Sequence, residues 1–201
     1  MKRCAWVGSD QIYVDYHDQE WGVPVHDDRV HFEFLVLEGA QAGLSWITIL
    51  KRREGYKRVY EGFDPEVVAE FSNTKQQAML KDAGIIRNKL KVASSVKNAK
   101  VFLEIQKEFG SFDDYIWKFV GGSPLVNSFK KMSEVPVSTE LSDTVSKDLK
   151  KRGMSFVGTT IIYAHLQATG VVNDHEVGCF RYDQVQSEVC AKKHNLSRVI
   201  L

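Results

Sequence analysis

Cysteine is scarce in this 201-residue chain, which holds only Cys4, Cys179 and Cys190. An odd number lying near the two chain ends argues against a disulfide framework and leaves metal ligation open. An excess of either charge is also missing: 27 Lys and Arg against 26 Asp and Glu leave a net +1. Bulk electrostatics therefore cannot hold the chain on nucleic acid or an anionic membrane, so any such partner must be met by a local basic face. Lys51-Arg52-Arg53, residues 87–100 and residues 147–152 offer candidate faces. No apolar segment approaches bilayer-spanning length, and the opening Met-Lys-Arg-Cys-Ala-Trp lacks the apolar core of a signal peptide; a cytoplasmic, non-membrane protein is expected. Internal repeats and low-complexity linkers are absent, and two-residue alternation is rare. The length suits one domain or two small helical lobes sharing a core, and the expected class is all-α.

What is present is helical periodicity with clear caps. Asp10 can cap a helix over residues 11–17 that carries Tyr13, Tyr16 and His17 on neighbouring positions. Asp27 can cap a helix over 28–38, with Val30, Phe34 and Leu37 at helical spacing. That helix delivers Glu38 at its C-terminal end, where the dipole disfavours an anion and the neighbours are apolar. A carboxylate poorly placed for stability is a candidate for ligand contact. A small-residue turn with Gln41 and Leu44 follows, then a helix capped by Ser45 and opening with Trp46. Further helices are expected from Pro65, from Thr74 to near Gly84, over 87–109, and from Ser111 to Gly121-Gly122. Residues 124–136 read as a loop. Towards the C-terminus, a helix over 142–152 stops at Gly153, residues 154–157 make a tight apolar hairpin, and Gly158-Thr159-Thr160 opens a helix to Ala168. Backbone amides at that second helix start, with Lys151 nearby, present donors to a phosphate.

The chain ends carry candidate metal ligands. His175 and Cys179 have the spacing of one helical turn, and Cys4 and His17 sit near the N-terminus. Two sulfurs and two nitrogens would close a tetrahedral shell with no position for a catalytic water, a structural rather than hydrolytic metal. Cys190 and His194 are alternative ligands by residue type.

Several runs together are unusual: Arg3-Cys4-Ala5-Trp6, residues 16–24 (Tyr-His-Asp-Gln-Glu-Trp-Gly-Val-Pro), residues 37–48 (Leu-Glu-Gly-Ala-Gln-Ala-Gly-Leu-Ser-Trp-Ile-Thr), Asp82 to Arg87, Gly153 to Thr160, and Val172-Asn173-Asp174-His175. With them the chain resembles the bacterial DNA-3-methyladenine glycosylase I family from residue 1 to about 180, while residues 181–201 follow no family pattern. The resemblance implies a helix-hairpin-helix glycosylase fold of two helical lobes, Zn2+ held by Cys4, His17, His175 and Cys179 that joins the chain ends, and hydrolysis of the N-glycosidic bond of N3-methyladenine in DNA. Double-stranded DNA carrying alkylated adenine is then the partner, met by a monomer.

The residues acquire roles on that footing. Tyr13, Tyr16, Trp21 and Trp46 offer faces for an extruded cationic purine, and ionised Glu38 accepts from its amino group. Leu44 or Gln41 fills the gap in the duplex. Lys151, Gly153, Gly158, Thr159 and Thr160 anchor the backbone. Related superfamily members carry an Asp two residues before a His in the last segment. Here Asn173 stands at that distance from His175 and Asp174 is shifted by one, so little general-base help is expected from Asp174. A non-enzymatic damaged-DNA-binding module and a zinc-dependent hydrolase are the competing readings.

Overall fold

The computed structural model of the chain describes residues 1–187. In chain order the helices are α1 (Gln11–Gln19), α2 (Asp28–Gln41), α3 (Trp46–Leu50), α4 (Arg53–Val59), α5 (Pro65–Ala69), α6 (Asn73–Met79), α7 (Lys89–Phe109), α8 (Phe112–Trp117), α9 (Glu140–Lys151) and α10 (Thr159–Ala168). None of the helices described is long and apolar enough to cross a membrane. The all-α expectation holds but for one short ladder. β1 (Leu125–Val126) pairs in parallel with β2 (Val172–Asn173), Leu125 opposite Val172. Two residues per strand are too few for alternation to register in a sequence, and this pairing ties the loop over 124–136 to the segment bearing Asp174 and His175.

α2 is the central element. From His31 to Ala40 every residue but Glu33 is buried, the signature of a helix packed on all sides. Asp27 caps it by accepting from the amides of Arg29 and Val30. Asp28 reaches across to cap α8, its carboxylate accepting from the amides of Phe112 and Asp113, both at 2.8 Å. α2 continues past Glu38 to Gln41, so Glu38 begins the last turn and does not end the helix. α7, about 30 Å long at 1.5 Å per residue, packs Val92, Val96, Ala99, Phe102 and Ile105 into the main core.

Several boundaries differ from the expected ones because a better cap lies nearby. Ser72, not Thr74, caps α6; Asn88 caps α7; and Thr139 with Ser142 forms a capping box that starts α9 at Glu140. Ser45 stands at the N-cap position of α3, but its hydroxyl pairs with Thr48 and makes no cap bond. α3 also ends at Leu50, and the basic run divides: Arg53 turns inward to Glu20 and Glu33, and Lys51 pairs with Asp10. That run is structural, not a free basic face.

The core is unequal. One large cluster spans α2 to α10, and a smaller aromatic group around Trp6, Tyr13, Tyr16 and Trp21 packs where the chain ends meet. Residues 181–187 are helical and bury Val185, so the packed body extends past residue 180. Cys190 and His194 lie outside the described residues. Gly170 shows how tightly the two ends are joined: its φ is +67°, and a Cβ there would sit 2.5 Å from the nitrogen of Pro24 and the carbonyl carbon of Val23. Gly170→Ala is expected to destabilise the protein by about 3 kcal/mol, read as a lowered urea midpoint, because both the dihedral and the close approach exclude a side chain.

Candidate active site

A cavity of about 250 Å³ opens between the aromatic group and the end of α2. Tyr13, Tyr16, Trp21, Glu38, Gln41, Trp46 and Asp174 all line it, so every base-contact residue expected from the sequence converges here. Trp6, Met132, Val135, Ala164 and Gln167 also line it and were missed. Trp6 carried a usable signal, since it lies in the same aromatic-rich N-terminal stretch. Gln167 is the penultimate residue of α10, and Met132 and Val135 sit at the two ends of a single 3-10 turn; no local pattern marks them.

The rings lock one another. Trp6 meets Tyr13 edge-on at 5.6 Å and Trp21 at 5.1 Å, while Tyr16 leans on Trp46 at 5.6 Å. The Tyr13 hydroxyl accepts from the Ile47 amide at 2.9 Å, which ties α1 to the start of α3 and takes over part of the capping that Ser45 does not provide.

Glu38 is 3% exposed, and among the described residues no hydrogen bond offsets the burial of its carboxyl group. Burial alone lifts its pKa to about 8. The ionised Glu38 expected from the sequence is the one that meets a cationic base; in the free pocket desolvation penalises the bare charge and favours the protonated carboxyl. Asp174 has the opposite surroundings. Asn127 Nδ2 and Gln167 Nε2 each donate to it at 2.7 Å, and the Tyr163 hydroxyl makes a third, very short bond. One pocket thus holds an unpartnered carboxyl and a fully partnered one. Asn173 points elsewhere, accepting from the His175 amide and donating to the Tyr182 carbonyl.

Past Gln41 the chain makes a type II turn. Ala42 has φ −42° and ψ 115°, Gly43 has φ +78°, and the Leu44 amide donates to the Gln41 carbonyl at 2.6 Å. Only glycine takes the third position easily, and the turn leaves Leu44 40% exposed. A second cavity, about 180 Å³, runs from Glu38 and Gln41 past Leu44 to Thr160 and Ile161 at the start of α10. Shared walls at Glu38, Gln41 and Ala164 make the two cavities contiguous. Between α9 and α10, Gly153 (φ +108°) and Phe156 (φ +56°) make the turn, and Lys151 is exposed beside it. Gly158 caps α10 and leaves the amides of its first turn free of side-chain caps. The Thr159 hydroxyl is not free, since it pairs with Ser142 at 2.8 Å, and Arg152 is engaged by Glu108 and Asp148.

The remaining cluster lies behind Trp21. The ligand atoms of Cys4, His17, His175 and Cys179, all buried, lie within 4.8 Å of one another, a group able to hold a metal ion. Cys4 Sγ lies 3.5 Å from His175 Nδ1, and Cys179 Sγ lies 3.4 Å from His17 Nε2 and 3.7 Å from His175 Nδ1. A tetrahedral ion with bonds of about 2.0 to 2.3 Å has edges of about 3.3 to 3.8 Å, so these three separations match one, and the two-sulfur, two-nitrogen donor set suits it. The outward nitrogens are oriented as well: His17 donates to Asp18, itself held by Arg3, and His175 donates to the Trp21 carbonyl at 3.0 Å. Hydrogen bonds from the Cys4 thiol, His17 and His175 pull the Cys179 thiol well down, while Cys4 is pushed up, so the pair shares a proton that a cation would displace.

Comparisons with known proteins give the chain its family. A family model described as methyladenine glycosylase matches residues 6–182. DNA-3-methyladenine glycosylase 1 of Escherichia coli (strain K12) is 48% identical over 182 residues, covering 90% of this chain and 97% of that protein. A crystal structure of 3-methyladenine DNA glycosylase I superposes with a TM-score of 0.87 at 46% identity, covering 89% of this chain and 98% of the other. A variant of 3-methyladenine DNA glycosylase I in complex with 3-methyladenine gives 0.88 at 32% identity, covering 90% and 98%. The chain belongs to the methyladenine glycosylase family.

Proposed function

We propose that this chain is a monofunctional DNA-3-methyladenine glycosylase, which flips the alkylated base from the duplex and hydrolyses its N-glycosidic bond. The observation that carries this reading is Glu38, a buried carboxyl without a protein donor at the wall of an aromatic cavity. A cationic purine with an exocyclic amine supplies both the missing donor and the missing charge. Neutral adenine supplies the donor alone, so it cannot offset the cost of an ionised Glu38, and selectivity follows. Tyr13, Tyr16, Trp21 and Trp46 sandwich the ring system, with Trp6 closing the set.

In the reaction the N9–C1′ bond breaks and its electron pair neutralises the base cation. A water oxygen bonds to C1′ and its proton leaves to solvent. Asp174, held in place by three donors, sets its carboxyl group in the pocket wall beside the developing sugar cation. The methylated base is a good leaving group already, so binding and charge complementarity suffice. Leu44, on its type II turn, fills the gap in the duplex with Gln41 beside it. The α9–turn–α10 unit acts as a helix-hairpin-helix, with Lys151, Gly153 and the first-turn amides of Gly158, Thr159 and Thr160 on the backbone phosphates. Zn2+ in the Cys4, His17, His175 and Cys179 cluster would join the chain ends and hold Trp21 against the pocket without entering the chemistry. The enzyme acts in the cytoplasm as a monomer.

Incubation with methylated DNA should release free 3-methyladenine; retention of the damaged DNA with no free base would leave only a binding module. The proton on Glu38 gives a further check. A cation must ionise Glu38 to bind, so affinity for a 3,9-dialkylated adenine cation should rise with pH, by up to tenfold per unit, and level off above about 8. A flat titration-calorimetry profile between pH 6 and 9 would remove Glu38 as the cation's partner.

A further inference from the structure

α7 carries two side chains, seven residues apart on one face, that hold the two loops flanking the pocket. Lys91 Nζ donates to the Ala40 and Ala42 carbonyls at 2.8 and 2.7 Å. These carbonyls lie at the C-terminal end of α2, where the helix leaves its acceptors unsatisfied and carries partial negative charge. An ammonium there satisfies both and fixes the path of the chain into the turn that presents Leu44. Two helical turns further on, about 10 Å along the axis, Asn98 makes a paired contact with the hairpin. Its Nδ2 donates to the Ser155 carbonyl at 2.8 Å and its Oδ1 accepts from the Ser155 amide at 2.9 Å. Lys91 and Asn98 line the same narrow cleft, with Gly39 of α2 on one side and Phe156 of the hairpin on the other.

We infer that Lys91 is a positioning residue, which with Asn98 fixes the Leu44 turn at a set distance from the backbone-binding hairpin, so that anchoring on the phosphates and filling of the duplex gap occur in register. Lys91 does not line the aromatic cavity. Its loss therefore impairs extrusion from a stacked duplex and spares recognition of a base that is already free. The inference rests on the assignment of Leu44 as the wedge and of the hairpin as the backbone anchor.

The test compares Lys91→Met, Lys91→Gln and Lys91→Arg on three substrates: methylated duplex, methylated single strand, and a free 3,9-dialkylated adenine cation. Expected for Lys91→Met is a loss of about tenfold or more in kcat/KM on the duplex, with single-strand excision and cation binding within about threefold of the parent, and recovery in Lys91→Arg. Should Lys91→Met not fold, Lys91→Gln, which keeps a donor but loses the charge and the reach, carries the same comparison. Equal losses on duplex and single strand would make Lys91 merely structural and overturn the inference. A duplex defect accompanied by a salt dependence weaker by about one phosphate contact would make it a direct backbone ligand and overturn it too. Leu44→Ala separates the two levels. If that variant excises from duplex at the parent rate, the wedge assignment fails; if it is impaired while Lys91→Met is not, the wedge stands and the inference about Lys91 fails.

Discussion

Glu38→Gln is expected to lose about hundredfold or more in kcat/KM on methylated DNA, the scale of a buried charge-assisted hydrogen bond. The substitution is nearly isosteric, and its amide oxygen still accepts from an exocyclic amine, so the ring still fits. What disappears is the charge that distinguishes a methylated, cationic base from its neutral counterpart. Affinity for neutral purine should stay the same while affinity for the cation falls to match it. Equal discrimination by parent and variant would sink the assignment. Stability should move the other way. Burial raises the carboxyl from its ordinary 4.5 to about 8, so the folded state keeps a proton that the unfolded chain has released. Stability therefore falls as pH rises through that window, by at most about 5 kcal/mol. The glutamine variant escapes this loss. Its urea midpoint should overtake the parent's between pH 5 and 8, with the gap constant above that.

Removing the metal should have the largest effect on stability. Preparations are expected to contain one zinc per chain, and strong chelation should cost about 5 kcal/mol or more, seen as a fall in Tm of about 10 °C or more. Cys4, His17, His175 and Cys179 come from opposite ends of the sequence, all four side chains are buried together, and no disulfide joins the two cysteines. Without a cation the shared thiol proton and two imidazoles are left in an apolar surround. Replacing zinc by cobalt should give the absorption of a tetrahedral thiolate and imidazole site and leave excision unchanged. A closed shell has no exchangeable position for substrate water. Excision that depended on the identity of the metal would return a chemical role to it and favour the hydrolase reading.

Much of this was legible in the sequence where the signal is local. Caps at Asp10, Asp27, Asp64 and Ser111 mark helix starts because a short polar side chain accepts from amides two or three residues on. The oddity of Glu38 was visible as a carboxylate among apolar neighbours near a helix end. Its protonation was not, since that depends on how thoroughly neighbours from other elements exclude water. The surroundings of Asp174 were hidden for the same reason: its offset by one from the expected position was visible, while only the fold places Asn127, Tyr163 and Gln167 around it and makes it part of the pocket wall.

The sequence by itself determined the helical class, the aromatic cavity residues other than Trp6, the members of the buried Cys and His cluster by residue type and family resemblance, and the glycine-bracketed turn between α9 and α10, because each is carried by residues within one or two helical turns of one another or by motifs of unusual composition. Only the tertiary structure decided which polar groups are satisfied and by whom. Arg53 and Arg152 are consumed by carboxylates, the Thr159 hydroxyl is held by Ser142, Glu38 has no hydrogen-bond partner among the described residues, and Lys91 closes the end of a helix about fifty residues away. Those pairings join residues far apart in the chain, and hydrogen-bond satisfaction is a property of distance and solvent exclusion, which no linear pattern encodes.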